Sequence, residues 1–263
     1  MILSQPSASP QHSAAFDLRD RGILLADGVF DTSLVRGGQV VLRAAHLDRL
    51  GIALERDAVA DVMDAAIEGV ALGALRITVT RGAGARGLAG EAVAAPTLIA
   101  NVSDYDASSP PSPVRAQESA ILRNPTSFTA RYKTLSYTDN IAALRAAMAA
   151  GFEEAFFFTA AGNLACASVA NVFVQSGEAI FTPPVSDGAL PGVMRNWLLE
   201  QGRIGERTVS ERSISREELN AADRVFLTNS LRLFQPVSAL GDKSFEAGLP
   251  EGCAGLRSQL IGS

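Results

Sequence analysis

The sequence predicts a mixed α/β (α+β) protein of two domains, and three observations lead there. Its 263 residues suit one large or two modest domains and can bury a substantial core. Strand-like runs rich in β-branched residues alternate with segments whose apolar residues fall at helical spacing. A Ser/Pro-rich stretch, Ser103 to Arg115 (SDYDASSPPSPVR), interrupts the pattern, and consecutive prolines fit neither a central strand nor a helix. The domain organisation expected is a loose arm over 1–16, a small α/β domain over 17–105, a linker over 106–115 and a larger domain over 116–263, with a cleft between the two domains and no internal repeat.

The elements follow in order. Gly28 to Arg36 reads as a strand, Arg36-Gly37-Gly38-Gln39 as a hairpin turn, and Val40-Val41-Leu42 as its return. Ala44 to Arg56 carries Leu47, Leu50 and Leu54 at helical spacing, and residues 57–72 repeat that pattern up to Gly73 as a stop. Leu75 to Thr80 is strand-like. Beyond the linker, a helix over 139–150 presents Ile141, Leu144 and Met148 as its apolar face, with Gly151 after its end. Strands follow over 154–159, through Val172-Phe173-Val174 and over Ala179–Thr182. A helix opens at Pro191-Gly192 and runs to Gln201, with Gly202 ending it. Ser215-Arg216-Glu217-Glu218 is a capping-box pattern, and Arg224 to Thr228 returns to a strand.

Composition narrows the function. An apolar share of 47% with 19% charged residues is ordinary for a globular protein. No apolar run reaches the roughly 18 residues that span a bilayer, and the start of the chain lacks the basic and hydrophobic regions of a signal peptide. A cytoplasmic location with no membrane partner is the default expectation. A net charge of −5 without a clustered basic face argues against nucleic acid as the main partner. Cys166 and Cys253 make no disulfide framework, and His12 and His46 do not supply a metal site. The 23 basic residues divide into 21 arginines and two lysines, Lys133 and Lys243. Arginine cannot replace lysine where a neutral, nucleophilic amine is required, so each lysine is worth a question. Lys243 sits in a turn-like Gly-Asp-Lys-Ser context and reads as a solvated surface residue.

Several segments can carry chemistry. Gly82 to Gly87 (GAGARG) matches a dinucleotide fingerprint, but no helix start follows it before Pro96, and a hairpin loop is the better reading. Lys133 suits a Schiff-base lysine that holds pyridoxal phosphate and moves the α-proton of a small amine substrate. Taken alone, a salt-bridged lysine at a strand end is the commoner case. Leu190-Pro191-Gly192-Val193-Met194 offers free backbone N–H groups at a helix start, which suit an anion. Arg49 lies off the Leu47/Leu50/Leu54 stripe and faces either solvent or a neighbouring domain.

Together these segments resemble the class IV aminotransferase family, the fold-type IV pyridoxal-phosphate enzymes. The resemblance is carried by Asp27-Gly28-Val29-Phe30-Asp31-Thr32, His46-Leu47-Asp48-Arg49-Leu50, Lys133-Thr134-Leu135-Ser136-Tyr137, Asn171-Val172-Phe173, Thr182-Pro183-Pro184, Leu190-Pro191-Gly192 and Phe226-Leu227-Thr228-Asn229-Ser230, in order from about residue 17 to 240. It implies a homodimer of two-domain subunits with the cofactor in the interdomain cleft. It further implies that Lys133 attaches the cofactor, Arg49 binds its phosphate and Tyr137 hydrogen-bonds its phenolic oxygen. Val193 and Met194 would donate backbone N–H groups to the phosphate, helped by Thr228 or Asn229. The family's usual partner of the pyridine nitrogen, a glutamate five residues before the Asn of Asn-x-Phe, is Cys166 here, and a thiol gives the ring much less help than a carboxylate. Steps that need a fully protonated ring are therefore expected to be slowed.

Within the family the Lys-Thr-Leu-Ser-Tyr and Leu-Thr-Asn-Ser-Leu segments look most like aminodeoxychorismate lyases, which release pyruvate and p-aminobenzoate for folate synthesis. Arg86 or Arg232 is the expected contact for a substrate carboxylate. The alternatives are a transaminase of branched-chain or D-amino acids and a non-catalytic relative, which Cys166 keeps open.

Overall fold

The computed structural model describes residues 16–51, 53, 55–90 and 95–262. The expected N-terminal arm, apart from residue 16, and Leu54 of the expected helix stripe lie outside the described residues. The chain divides into two compact units, one running to Asp106 and including Lys133–Ser136, the other comprising Ala107–Tyr132 and Tyr137 onward. The sequence pattern assigns Lys133–Ser136 to the larger domain. The structure instead clusters these four residues with the first unit, because their backbone pairs with its first strand.

The first unit contains α1 (Arg21–Leu25), β1 (Gly28–Arg36), β2 (Gln39–Val40), α2 (Arg43–Leu50), α3 (Arg56–Ile67), β3 (Leu72–Thr80) and β4 (Thr97–Ser103). The strands form an antiparallel sheet in the order β2-β1-β3-β4. The turn between β1 and β2 falls on Gly37 and Gly38, both at positive φ (59° and 74°), where a two-residue hairpin demands it. Leu47 and Leu50 of α2 and Val59, Val62 and Met63 of α3 pack on Val35, Leu75, Ile77 and Ala100 of the sheet.

Three expectations are corrected in this unit. The helix expected over 44–56 ends at Leu50, with Gly51 as its cap, and α3 starts afresh at Arg56. Apolar spacing reports a shared face and is blind to a break in the backbone ladder. Gly73, expected to stop the second helix, lies inside β3; Gly69, at φ 75°, makes the turn instead. A Cβ on Gly73 would sit 3.0 Å from the Ser103 carbonyl oxygen, so the glycine serves strand approach. Arg49, expected to face solvent or a neighbouring domain, is largely buried and folds back onto Asp31 of β1. The glycine-rich 82–87 segment joins antiparallel strands β3 and β4, as the hairpin reading requires.

The second unit contains β5 (Val114–Glu118), α4 (Phe128–Arg131), α5 (Thr138–Ala149), β6 (Glu154–Phe158), β7 (Leu164–Ala167), β8 (Asn171–Ser176), β9 (Ala179–Thr182), α6 (Val193–Gln201), β10 (Arg203–Ile204), β11 (Arg207–Glu211), α7 (Arg216–Asn220), β12 (Arg224–Thr228), β13 (Gln235–Leu240), β14 (Lys243–Ser244) and α8 (Cys253–Ile261). Its mixed sheet runs β10-β11-β9-β8-β12-β13-β5-β6-β7, with β14 on β13. Strand β6 and the terminal strand β7 are buried along their whole length, as strands covered on both faces are. The capping box of α7 is formed, with Ser215 accepting from the Glu218 N–H and the Glu218 side chain accepting from the Ser215 N–H. Lys243 is exposed, on β14.

The expected apolar face of α5 is also corrected. Ile141 and Met148 are 48% and 63% exposed, while Asn140, Ala143 and Ala147 are buried. The two sets have the same spacing and differ by one residue, about 100° around the helix. Alanines win because they let α5 approach Ala155, Phe157, Ala165 and Cys166 closely, and because the Asn140 amide donates to the Ser168 carbonyl at 2.7 Å. No helix among the described residues is long and apolar enough to cross a membrane.

Candidate functional site

In the first unit, the site is built on the edge of β1. The Phe30 N–H donates to the Lys133 carbonyl at 2.8 Å, the Leu135 N–H donates to the Gly28 carbonyl at 3.0 Å, and Val29 and Thr134 form an antiparallel bridge. Lys133 is thereby fixed beside a strand rather than in a free loop. Gly28 permits the approach: a Cβ there would lie 2.5 Å from the Val79 oxygen and 2.9 Å from Leu135 Cδ1. The Lys133 Nζ lies 4.3 Å from the centroid of the Phe30 ring, and the Arg76 guanidinium lies 3.8 Å from the same centroid.

Asp31 is the next residue of β1 and is 3% exposed. One of its oxygens faces His46 Nδ1 at 2.8 Å and the other accepts from Arg49 Nη2, so α2 delivers two partners to one buried carboxylate. Burial raises the proton affinity of Asp31, but His46 and Arg49 outweigh it and hold the carboxyl well below its usual range. Lys133 moves the other way, down to about 7, through burial and the charges of Arg49 and Arg76, with Asp31 opposing them. A large fraction of its amine is therefore neutral near physiological pH. The Arg49 Nε is buried and has no hydrogen-bond partner among the described residues.

In the second unit, β8 and β12 lie side by side with Asn171 opposite Thr228. The Asn171 amide donates to the Leu190 carbonyl at 2.8 Å and so holds the approach to α6. Gly192 is the N-cap of that helix; a Cβ on it would lie 2.1 Å from Asn171 Oδ1. No side chain caps the helix, which leaves the first-turn amides, those of Val193 and Met194 among them, for an anion. The Thr228 Oγ1 is buried without a partner among the described residues. Asn229 is committed to its own turn, accepting from the N–H groups of Leu231 and Arg232 and donating to the Val169 carbonyl.

Cys166 is buried on β7 opposite Phe157, and burial pushes its thiol up, so it stays neutral. Nearby, Glu154 at the start of β6 accepts from the backbone of Ala155 and Ser168 and from the Ser168 hydroxyl, while its Oε2 is buried without a partner among the described residues. Burial raises the Glu154 carboxyl, partly offset by those hydrogen bonds. Tyr137 is the N-cap residue of α5 and half-buried. Arg86 is exposed on the loop after β3, and Arg232 pairs with Gln235 at 2.8 Å.

Within the first unit the structure thus brings Lys133 and Arg49 into one charged cluster, and within the second it brings Val193, Met194 and Thr228 to neighbouring strand and helix ends. Arg86 does not join the first cluster's cation–π and ion-pair contacts as these are described. Sequence reasoning gave no role to Asp31, Arg76 or Glu154. Asp31 carried a signal, an acid in a run of strand residues; Arg76 carried none, because its pairing with Phe30 is set by the register of β1 and β3.

The first unit thus holds a lysine of lowered proton affinity on a strand edge, with the charge of Arg49 acting on it, and the second holds an uncapped helix start on a mixed sheet. The chain belongs to the amino-transferase class IV family, whose sequence profile matches residues 28–240. It is an enzyme of that pyridoxal-phosphate-dependent family, either lyase or transaminase, with the fold of the fold-type IV enzymes. Aminodeoxychorismate lyase of Bacillus subtilis is 24% identical over 90% of this chain and 86% of its own length. The crystal structure of 4-amino-4-deoxychorismate lyase from Pseudomonas aeruginosa covers 95% of this chain and 94% of its own, with 27% identity and a TM-score of 0.81. A hypothetical aminotransferase from Mycobacterium tuberculosis, in its PLP-bound form, covers 96% of this chain and 93% of its own, with 26% identity and a TM-score of 0.79.

The unpartnered Thr228 hydroxyl is a cheap group to remove. Thr228→Val is expected to leave the unfolding free energy within about 1 kcal/mol of wild type, because no hydrogen bond among the described residues is lost. Thermal melts check this.

Proposed function

We propose that this enzyme is a pyridoxal-phosphate-dependent lyase that converts aminodeoxychorismate to p-aminobenzoate and pyruvate. The observation that carries the cofactor assignment is the Lys133 amine, held on the β1 edge and brought down to about 7. The rest of the donor set fits the group. Arg49 has an unused buried Nε, Thr228 an unused buried hydroxyl, and Val193 and Met194 lie in the first turn of an uncapped helix. In this reading Lys133 attaches the cofactor, while Arg49, the Val193 and Met194 amides and Thr228 hold its phosphate, and Tyr137 meets its phenolic oxygen. The Asn229 side chain is already engaged in its own turn, so in this reading the helping hydroxyl is that of Thr228.

When bound, pyridoxal phosphate supplies an electron-withdrawing ring that stabilises negative charge at the substrate carbon next to the amine. Lys133, as a neutral amine, takes the proton from that carbon. Loss of pyruvate then leaves an aromatic product, and aromatisation supplies driving force of its own. That matters because Cys166, a neutral buried thiol, stands where the family usually has a carboxylate for the ring nitrogen. A reaction with built-in driving force tolerates the weaker ring better than one without it. The lyase names borne by relatives that cover nine-tenths or more of this chain support the same reading. The second reading is a transaminase of branched-chain or D-amino acids, and its reaction type is supported by the likeness to the hypothetical aminotransferase of Mycobacterium tuberculosis.

We further propose that the enzyme works as a homodimer. Each unit exposes large apolar side chains, Ile23 (60%), Leu24 (62%) and Leu88 (83%) in the first and Phe128 (65%) and Met148 (63%) in the second. Single apolar groups are ordinary on a surface, so the dimer reading rests on the family resemblance and these side chains are its candidate interface residues.

Borohydride treatment with pyridoxal phosphate is expected to fix the cofactor on the Lys133 peptide, and the untreated holoenzyme to release pyruvate from aminodeoxychorismate. Keto acid formed from amino-acid donors without pyruvate release would replace the lyase by the transaminase. No adduct on Lys133 would overturn both. Cys166→Glu is expected to shift the absorption of the bound cofactor and speed transamination more than lysis; unchanged spectra and rates would remove Cys166 from the site. Light scattering on the purified protein is expected to give about twice the 27.5 kDa chain mass, and the mass of a single chain would exclude the dimer.

A further inference from the structure

We propose that Asp31 and Arg76 are opposed positioning residues for Lys133: the buried carboxylate favours a proton on the lysine amine and holds Arg49 in place, while the guanidinium on the Phe30 ring disfavours that proton. The inference deepens the proposed function and rests on Lys133 as its reactive amine.

The geometry comes from three elements of the first unit. On β1, Phe30 and Asp31 are consecutive, so one faces the ring contacts and the other the buried ion pairs. On β3, Arg76 is paired with Thr32 while Thr78 is paired with Phe30, which puts Arg76 diagonally across from the Phe30 ring. Its guanidinium lies 3.8 Å from the ring centroid and the Lys133 Nζ 4.3 Å from it, so the two cations are no farther apart than the sum of those distances. On α2, His46 and Arg49 take the two oxygens of Asp31. The charged and titratable groups around Lys133 are therefore Asp31 on β1, His46 and Arg49 on α2, and Arg76 on β3.

The signs follow from charge alone. A cation next to a partly buried ammonium raises its energy, and an anion lowers it. Arg49 and Arg76 both lower the proton affinity of Lys133, and Asp31 raises it. Asp31 acts a second time through Arg49, because its carboxylate ion-pairs with one arm of the guanidinium and offsets part of that charge. Arg76 reaches the Phe30 ring from β3, where it is exposed. The pair thus acts on the Lys133 proton with opposite signs.

The chain has only two lysines, which makes the test direct. Protein labelled with 13C at the lysine ε-carbon gives two resonances, and Lys243, exposed on β14, serves as the internal reference. In the full-length protein without cofactor, the Lys133 resonance is expected to titrate near pH 7. Arg76→Gln is expected to raise that midpoint and Asp31→Asn to lower it, each by about one pH unit, the size of a single charge at this range in a partly solvated site. The Lys243 midpoint stays fixed in both. An unmoved Lys133 midpoint in Arg76→Gln, or an upward shift in Asp31→Asn, would overturn the proposal. Asp31 is buried, so if Asp31→Asn fails to give a cooperative melt, the exposed Arg76→Gln decides alone. The measurement needs no cofactor, so its failure is distinct from failure of the reading it rests on: a normal borohydride adduct on Lys133 with unmoved midpoints overturns only the opposed pair.

Discussion

The pairing of Lys133–Leu135 with the open edge of β1 is the constraint on which the first unit's chemistry depends. Strand β1 has β3 along its whole length, but β2 covers only its far end. The near end would be an unpaired edge, and residues 133–135 take it. Two backbone hydrogen bonds then decide where the lysine side chain starts, and Phe30 decides what it meets. With the lysine so placed, its proton affinity is set by burial and by the charges of Arg49, Arg76 and Asp31. Gly28 is part of the same constraint, since a Cβ there would press on the Val79 carbonyl of β3 and on the Leu135 side chain.

A second constraint of the same kind operates in the second unit. Asn171 begins β8, and its side chain reaches the Leu190 carbonyl just before α6. The opposite face of that amide is so close to Gly192 that no side chain fits. One short contact therefore determines where the helix starts and which way its first amides point. The Asn-x-Phe segment and the Leu-Pro-Gly segment, nineteen residues apart at their hydrogen bond, are halves of one device.

How much of this is legible in the sequence depends on range. Local signals were readable: Gly37-Gly38 in the hairpin, Ser215…Glu218 in the capping box and Gly202 after α6 all act within a few residues and appear as read. Patterns with two solutions were not. In α5 the triad Ile141, Leu144, Met148 and the triad Asn140, Ala143, Ala147 have the same period, and hydrophobicity prefers the wrong one. Only the close approach of the helix to β6 and β7 selects the alanines, and that approach is not written in α5. Residues acting across strands were invisible for a similar reason. Arg76 meets the Phe30 ring through the β1–β3 register, which no local pattern specifies. Asp31 looked like a motif letter until α2 was folded onto it with His46 and Arg49.

The charge balance around Lys133 joins two requirements that are usually argued apart. An amine that must attack a carbonyl has to be neutral near pH 7, and a pocket that must take an anion has to be positive. Arg49 and Arg76 meet both at once, because the field that expels the lysine proton is the field that attracts an anion. Left unopposed, two guanidiniums at this range would also repel the arginine needed for the anion from the cluster. Asp31 removes that difficulty by fixing Arg49 through one arm while its Nε remains uncommitted among the described residues. His46 on the other oxygen and Arg49 together keep the carboxylate ionised. A buried acid that contacts an arginine is commonly read as a structural ion pair; here its position one residue from Phe30 makes it part of the electrostatics of Lys133.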